Sequence, residues 1–316
     1  NNKGMVFLSE KPGSRILKES SVQGESCYVV EQSFNSPSDE YLFGTGQFQD
    51  GYLNIKGLPR RLTQVNTQVS IPFIISNKGY GLLWHNYGLT DFNPADKEVV
   101  LKPVGKNGDT TTVDITTTEG TKKETRQDGV FSGTLTVKEE GQYARMLGVG
   151  QNRARIWHVS IDGKEVINLK NYWLPPTTST LVQIAAGKHN IVVTGEKNDI
   201  PTIHYRKVVN ETMFRSPVAD ILDYIIFAGN ADEVISSYRS LTGQVPLMPI
   251  WSLGYIHCRE RFHSQTELLE NANEFRKRKL PIDLIVQDWQ YWGKYGWNAM
   301  KFDETNYHDP AQMVKE

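Results

Sequence analysis

The chain holds only two cysteines, Cys27 and Cys258, in 316 residues. They are too few and too far apart for a disulfide framework or a zinc site, and they leave the redox compartment open. No apolar run approaches the roughly 18 residues that a membrane-spanning helix requires, so no membrane span is expected. Residues 1–4 lack the charged and apolar regions of a secretory leader. A charge excess of one sign is missing too. The 35 Lys and Arg are matched by 36 Asp and Glu, which gives no electrostatic footprint for nucleic acid or an anionic membrane. G-x-G-x-x-G, a Walker loop and G-x-S-x-G do not occur, so nothing points to a nucleotide cofactor or a serine-hydrolase triad, and no cofactor is expected. His257, His263 and His308 stand singly without ligand spacing, and no metal is expected.

What is present is length and β pattern. A chain of 316 residues exceeds the size at which one core keeps growing, which implies two or three domains. From Met5 to about Leu101, β-rich runs such as Tyr28-Val29-Val30 and residues 70–75 alternate with turn signals at Pro12-Gly13, residues 36–38 and residues 77–79. This predicts a large antiparallel sandwich, with a tight hairpin over residues 78–84. Residues 105–120 are polar and threonine-rich, and a second β pattern runs from residue 129 to about Ile203, with a turn at residues 161–164. Residues 221–227 then read as a strand, followed by a helix over residues 232–242 capped by Asp232. The simplest arrangement is one β-domain inserted into a loop of another: residues 1–102 and 213–245 form the outer sandwich, and residues 103–212 the insert.

After Pro246 and Pro249 the grammar becomes strand, helix, strand. Residues 252–256 and 282–286 are the apolar strands, and residues 264–278 the helix, with Ser264 and Glu267 placed as a capping box. These predict a parallel βαβ unit over residues 246–316. One helix cannot bury both faces of a parallel pair, so more chain, the remainder of a barrel, is expected downstream.

The chemistry-bearing cluster is residues 286–292, at the carboxyl end of the second apolar strand, the edge where parallel α/β architectures bind ligands. Asp288 can accept two hydrogen bonds from vicinal hydroxyls, and the aromatic faces of Trp289, Tyr291 and Trp292 can pack on the apolar side of a sugar ring. The same residues could equally be core aromatics under a loop, with Asp288 capping a turn. Residues 258–262 should reach the same edge. There Arg259, Glu260 and Arg261 read as an ion-pair network holding a loop, and nothing in the spacing makes Glu260 and Asp288 an acid and nucleophile pair.

Taken together, Trp251-Ser252-Leu253-Gly254-Tyr255, Arg259-Glu260-Arg261-Phe262, Pro281-Ile282-Asp283, residues 286–292 and Tyr295-Gly296-Trp297 through Asp303 closely resemble the barrel opening of glycoside hydrolase family 31, in its α-xylosidase and α-glucosidase branch. Phe43-Gly44-Thr45-Gly46-Gln47 and residues 72–87 are similar to that family's N-terminal, galactose-mutarotase-like sandwich. Through Phe131-Ser132-Gly133 and residues 159–164 the insert resembles a protective-antigen-type β-domain. The resemblance implies a mainly β multidomain chain that opens a (β/α)8 barrel. It also implies a retaining, exo-acting α-glycosidase, with a neutral oligosaccharide or polysaccharide as partner, xyloglucan among the candidates, and a periplasmic or extracellular location. Carried over by position, Asp288 hydrogen-bonds the sugar in the −1 subsite, Trp289 stands at the pocket wall and Phe262 lines the same subsite. The pattern departs at Ile256, His257 and His85, which puts the pocket's detailed shape in question. The family's nucleophile and acid/base match no residue here, so the 316 residues alone are expected to be inactive. A non-catalytic carbohydrate-binding protein is the alternative, and the insert could equally be a spacer.

Overall fold

The computed structural model describes residue 4 and residues 6–316, other than 66, 106, 107, 109, 118, 119, 150–154, 172–176, 260 and 290. The chain divides into two compact units, residues 1–242 and 243–316.

The first unit is built from antiparallel sheets in facing pairs. One five-stranded sheet runs Ile16–Val22, Glu25–Asn35, Glu211–Ala219, Thr90–Phe92, Arg60–Leu62, and its four-stranded partner runs Tyr224–Ala228, Tyr80–Trp84, Val69–Ser76, Leu42–Gln47. Val30, Phe34 and Phe214 from one sheet and Ile74, Leu82 and Trp84 from the other share a core, because alternate side chains along each strand point inward. Trp84 shows how tightly this is arranged. Its ring stacks on Phe214 at 5.5 Å while Nε1 donates to Ser216 Oγ at 2.9 Å, so the buried indole loses neither contact nor hydrogen bond. The expected hairpin forms between Val69–Ser76 and Tyr80–Trp84, with Gly79 at φ +84° closing it.

Between Thr90–Phe92 and Glu211–Ala219 the chain builds a second pair of sheets. Their core joins Phe131, Trp157 and Val193 of a six-stranded sheet to Leu147, Ile184 and Ile203 of a four-stranded one. Both crossing points are paired. Glu211–Ala219 lies beside Thr90–Phe92, and Lys97–Val99 lies beside Thr202–Lys207. A domain whose entry and exit are neighbouring strands can be inserted without disturbing its host. The pairing places Lys97–Val99 with the inner sheets, ahead of the break expected at residue 103. At residues 161–164 Asp162 and Gly163 adopt φ +50° and +82° between the paired Ile161 and Lys164, the left-handed two-residue turn that suits strand twist.

Helix α1 (Ala231–Thr242) is capped differently from the sequence expectation. Asn230 Oδ1 accepts from the Glu233 N–H at 3.1 Å, and Glu233 Oε2 accepts from the Asn230 N–H at 2.8 Å. This is a reciprocal capping box that starts two residues before Asp232. Asp232 lies inside the first turn, where its charge suits the helix dipole.

In the second unit, strands Ile256–Cys258 and Leu284–Val286 pair in parallel, with Ile256 opposite Leu284 and Cys258 opposite Val286. Helix α2 (Gln265–Lys277) makes the crossover. Residues 252 and 253, expected to begin the first strand, lie instead in a 3-10 turn over Ile250–Leu253, and the strand starts at Ile256. Ser252 donates both its N–H and its hydroxyl to the Pro249 carbonyl, a local alternative to the ladder that an apolar pattern does not reveal. Ser264 caps α2 by accepting from the Glu267 N–H at 3.1 Å, while the Glu267 carboxylate accepts from the His263 N–H at 2.7 Å. Helix α3 (Pro310–Lys315) starts at Asp309, which accepts from the Gln312 N–H, with proline in the first turn. Phe262, Leu268, Tyr307 and Met313 form this unit's core. Among the described residues no helix is long and apolar enough to cross a membrane.

Candidate functional site

The parallel pair fixes where the site can be. Cys258 and Val286 are the last paired residues of their strands, so residues 259–262 and 287–292 both leave from the carboxyl edge, where strand ends open towards a ligand. Two hydrogen bonds tie the loops down. The Gln287 side-chain amide donates to the Phe262 carbonyl at 3.4 Å, and the Tyr307 hydroxyl donates to the same carbonyl at 2.5 Å. Burial, reinforced by the Glu267 charge, pushes the Tyr307 phenol up to about 12, so it remains a donor at any working pH.

Asp288 lies on the exposed side of this edge. Among the described residues its carboxylate takes part in no side-chain hydrogen bond or ion pair, so all its acceptor capacity is open to a ligand. Trp289 is half-buried beside it. The Arg261 guanidinium stands 5.2 Å over the Trp289 ring, and the Trp297 ring meets Trp289 at 5.3 Å with an interplanar angle of 55°. Phe262 is only 1% exposed, in the core with Leu268 and Tyr307. It therefore supports the edge from beneath, and its ring presents no open face. Arg259 donates to Glu267 at 2.7 Å and lies over the Phe262 ring at 5.4 Å, so its ion pair is with the glutamate that caps α2, a residue outside the Arg259, Glu260 and Arg261 network the sequence suggested. Its partner Glu267 is held below the usual carboxylate range by the His263 N–H first and by the Arg259 charge. Glu260, the other half of the tempting carboxylate pair, lies outside the described residues.

Of the histidines, His257 is half-buried, with Nδ1 3.1 Å from the Tyr255 hydroxyl, while His263 and His308 are exposed. The segment from Tyr295 to Asp303 carries part of the family resemblance, but no site role was read from it. Trp297 packs against Trp292 as well as Trp289, both at 5.3 Å. Asp303, 5% exposed, accepts from the Lys294 N–H at 3.1 Å and the Thr305 N–H at 3.0 Å. These N–H groups hold its carboxyl below the usual range. Gly293, at φ +46°, has no room for a side chain, since a Cβ would sit 1.8 Å from Asp303 Oδ2. The available signal was a pair of glycines, Gly293 and Gly296, flanking a short turn among tryptophans.

Known proteins can now be set beside this geometry. Residues 245–316 match the glycosyl hydrolases family 31 TIM-barrel domain. An alpha-xylosidase from Saccharolobus solfataricus is 30% identical over 300 residues, covering 92% of this chain and 26% of its own length. An uncharacterized family 31 glucosidase, ORF2, from Pseudescherichia vulneris is 23% identical over 290 residues, covering 92% of this chain and 33% of its own. The crystal structure of an alpha-xylosidase from Xanthomonas citri superposes with a TM-score of 0.77 at 27% identity, over 99% of this chain and 38% of that one. The chain thus spans between about a quarter and two fifths of the length of these relatives.

Proposed function

We propose, because the chain belongs to glycoside hydrolase family 31, that it supplies the terminal-sugar contacts of a retaining, exo-acting α-glycosidase that removes α-xylosyl or α-glucosyl residues from oligosaccharides. The observation that carries this reading is Asp288, an exposed carboxylate without a side-chain partner among the described residues, at the carboxyl end of a parallel strand, with an indole beside it. A carboxylate so placed can accept hydrogen bonds from two neighbouring hydroxyls. In the low dielectric of an occupied pocket such charge-assisted bonds are roughly twice as strong as neutral ones. Gln287 and Tyr307, both bonded to the Phe262 carbonyl, tie the residues next to the acceptor in place before the sugar arrives. Asp288 binds and orients. The nucleophile and the acid/base of the retaining mechanism are assigned to no residue of this chain, and residues 1–316 alone are proposed to be inactive.

Xylose is favoured over glucose as the terminal residue, because the xylosidase from Saccharolobus solfataricus is aligned over nearly the whole chain at the higher identity of the two curated relatives above. Xyloglucan fragments are the proposed natural substrate, in the periplasm or outside the cell. The inserted sheets are proposed to be a protective-antigen-type domain. The test is hydrolysis of p-nitrophenyl α-xyloside and α-glucoside by residues 1–316 and by the product of the complete reading frame. Activity only in the latter, with net retention by proton NMR and a preference for xyloside, is the expected result. Activity in residues 1–316, or inversion, would contradict the reading.

A further inference from the structure

We propose that Tyr52 of the outer sandwich is a clamp on the inserted sheets: its hydroxyl pins the free edge of the inserted four-stranded sheet and so fixes the direction in which the insert points. That sheet runs Thr177–Ile184, Gly141–Gly148, Thr202–Lys207, Lys97–Val99. Its Lys97–Val99 edge is tied to the outer sandwich by the chain itself, through residues 93–96. The return crossing, residues 208–210, leaves from the neighbouring strand, and Arg206 Nη1 donates to the Pro94 carbonyl at 3.4 Å. Neighbouring crossings make a single line of attachment, and a body held along one line can swing about it.

The opposite edge, Thr177–Ile184, has both its sequence neighbours, Lys164–Asn171 and Gly187–Glu196, within the insert. An edge strand leaves a row of N–H groups without ladder partners, and Tyr52 takes up one of them. The Leu181 N–H donates to the Tyr52 hydroxyl at 3.0 Å, and Thr180 Oγ1 lies 3.1 Å from the same oxygen. The strand register sets this contact across the sheet from the chain crossing, because Thr180 is opposite Arg145, Arg145 opposite Tyr205, and Tyr205 opposite Lys97. Three strand spacings, about 14 Å, separate the two attachments. Between them the sheet is not packed down. Met146 and His204, opposite each other on the middle strands, line a cavity of about 240 Å³ whose other walls include Arg61, Asp91, Phe92 and Arg215. The sheet is therefore fixed at its edges, and Tyr52 holds the edge that the chain does not.

A clamp needs a fixed base. The Tyr52 ring packs against the outer core, and its N–H donates to Asp50 Oδ1 at 3.2 Å. Arg60 grips both oxygens of Asp50, Nε donating to Oδ2 at 3.0 Å and Nη2 to Oδ1 at 2.8 Å. Arg60 is 5% exposed at the start of strand Arg60–Leu62, and its Nη1 donates to Thr45 Oγ1 at 2.6 Å. Charge-assisted, two-point geometry of this kind fixes orientation as well as distance. The loop that carries Tyr52 is thus preset by the outer sandwich.

The test is Tyr52→Phe, which keeps the packed ring and removes only the hydroxyl. Nitroxides are placed on the exposed positions Glu19→Cys in the outer sandwich and Lys188→Cys in the insert, with Cys258→Ser and with Cys27 left buried. Double electron–electron resonance should give one narrow distance distribution for the clamped chain. In Tyr52→Phe the distribution should broaden about twofold, since relative motion is the default where the contact between two bodies is small. Thr180→Val, which removes one of the two partners, should broaden it by less. Hydrogen exchange supplies a second reading: the Leu181 amide should exchange about tenfold faster in Tyr52→Phe, as loss of one hydrogen bond implies, while amides bonded to Gly141–Gly148 keep their rates. A distribution as narrow in both variants as in the parent, or an unchanged Leu181 exchange rate in Tyr52→Phe, would overturn the clamp.

Discussion

Sheets in residues 1–242 bury their inner faces against each other, whereas the parallel pair in residues 243–316 keeps apolar residues in the open. Leu82 and Ile191, in the cores of the outer and inserted sandwiches, are 0% exposed, while Ile256 and Leu284, directly opposite each other on the parallel pair, are 44% and 36% exposed. The contrast is one of partnership, since a parallel pair with a single crossover helix cannot cover both of its faces. In the first unit each strand's alternation finds a partner sheet, so stability is local to the pair. In the second, a three-residue ladder and two helices organise an edge. What they hold in place is Asp288 and the tryptophans around it.

That contrast can be broken by truncating each core in turn. Phe214→Ala removes a ring stacked on Trp84 and packed at a tilt against Phe92 inside the closed outer sandwich, and should cost about 3–5 kcal/mol in urea unfolding of the whole chain. A loss below about 1 kcal/mol would mean the sandwich is far looser than its packing implies. Next in size is Arg145. It lies on a buried strand face with Tyr143 and Leu147 and is 0% exposed. None of its three guanidinium nitrogens has a hydrogen-bond partner, and burial pulls its pKa down to about 10. Arg145→Met replaces an unpaired buried charge with an apolar chain of similar length and should stabilise the inserted sheets by about 1–3 kcal/mol. Destabilisation of that size would show that the charge is used.

The smallest effect sharpens the picture of the open unit. The Tyr295 hydroxyl and the Lys294 ammonium hold the Glu304 carboxyl down to about 2. Because the folded pKa is depressed, the stabilisation is fully present above the ordinary glutamate pKa of about 4.3 and is lost as pH falls through about 2. Carbon NMR of the Glu304 carboxyl should therefore titrate near 2, and titration near 4.3 would show that the Tyr295 and Lys294 contacts do not persist in solution.

Much of the architecture was legible because β-sandwiches write themselves as short alternating runs with glycine and asparagine turns, as at Asp162-Gly163 and Gly79. The nested order was suggested by a break in texture, and Lys97–Val99 lies ahead of the edge suggested at residue 103. Lys97–Val99 is too short to carry a pattern of its own, and only its pairing with Thr202–Lys207 assigns it. Two expectations failed for local reasons: Asn230 caps α1 in place of Asp232, and Ser252 folds back on Pro249 where a strand was expected. Both depend on side-chain bonds to backbone that hydrophobic periodicity does not register. At the site, Asp288 and Trp289 could be named because strand ends bind ligands in parallel architectures. Phe262 was placed at the same edge, and its burial beneath the loops depends on Leu268, Tyr307 and Met313 arriving from three other segments. Trp297 and Asp303 were matched to the family but given no place at the site, because their meeting with Trp289 and Gly293 is a matter of loop closure, which spacing alone does not encode.

The central claim is that Asp288 holds the terminal sugar, and Asp288→Asn in the product of the complete reading frame tests it most directly. Losing the charge-assisted bonds to two hydroxyls should lower kcat/KM for α-xylosyl fluoride by about 100-fold or more, with the melting temperature unchanged because the carboxylate has no side-chain partner among the described residues. A variant within about threefold of wild type would contradict the account.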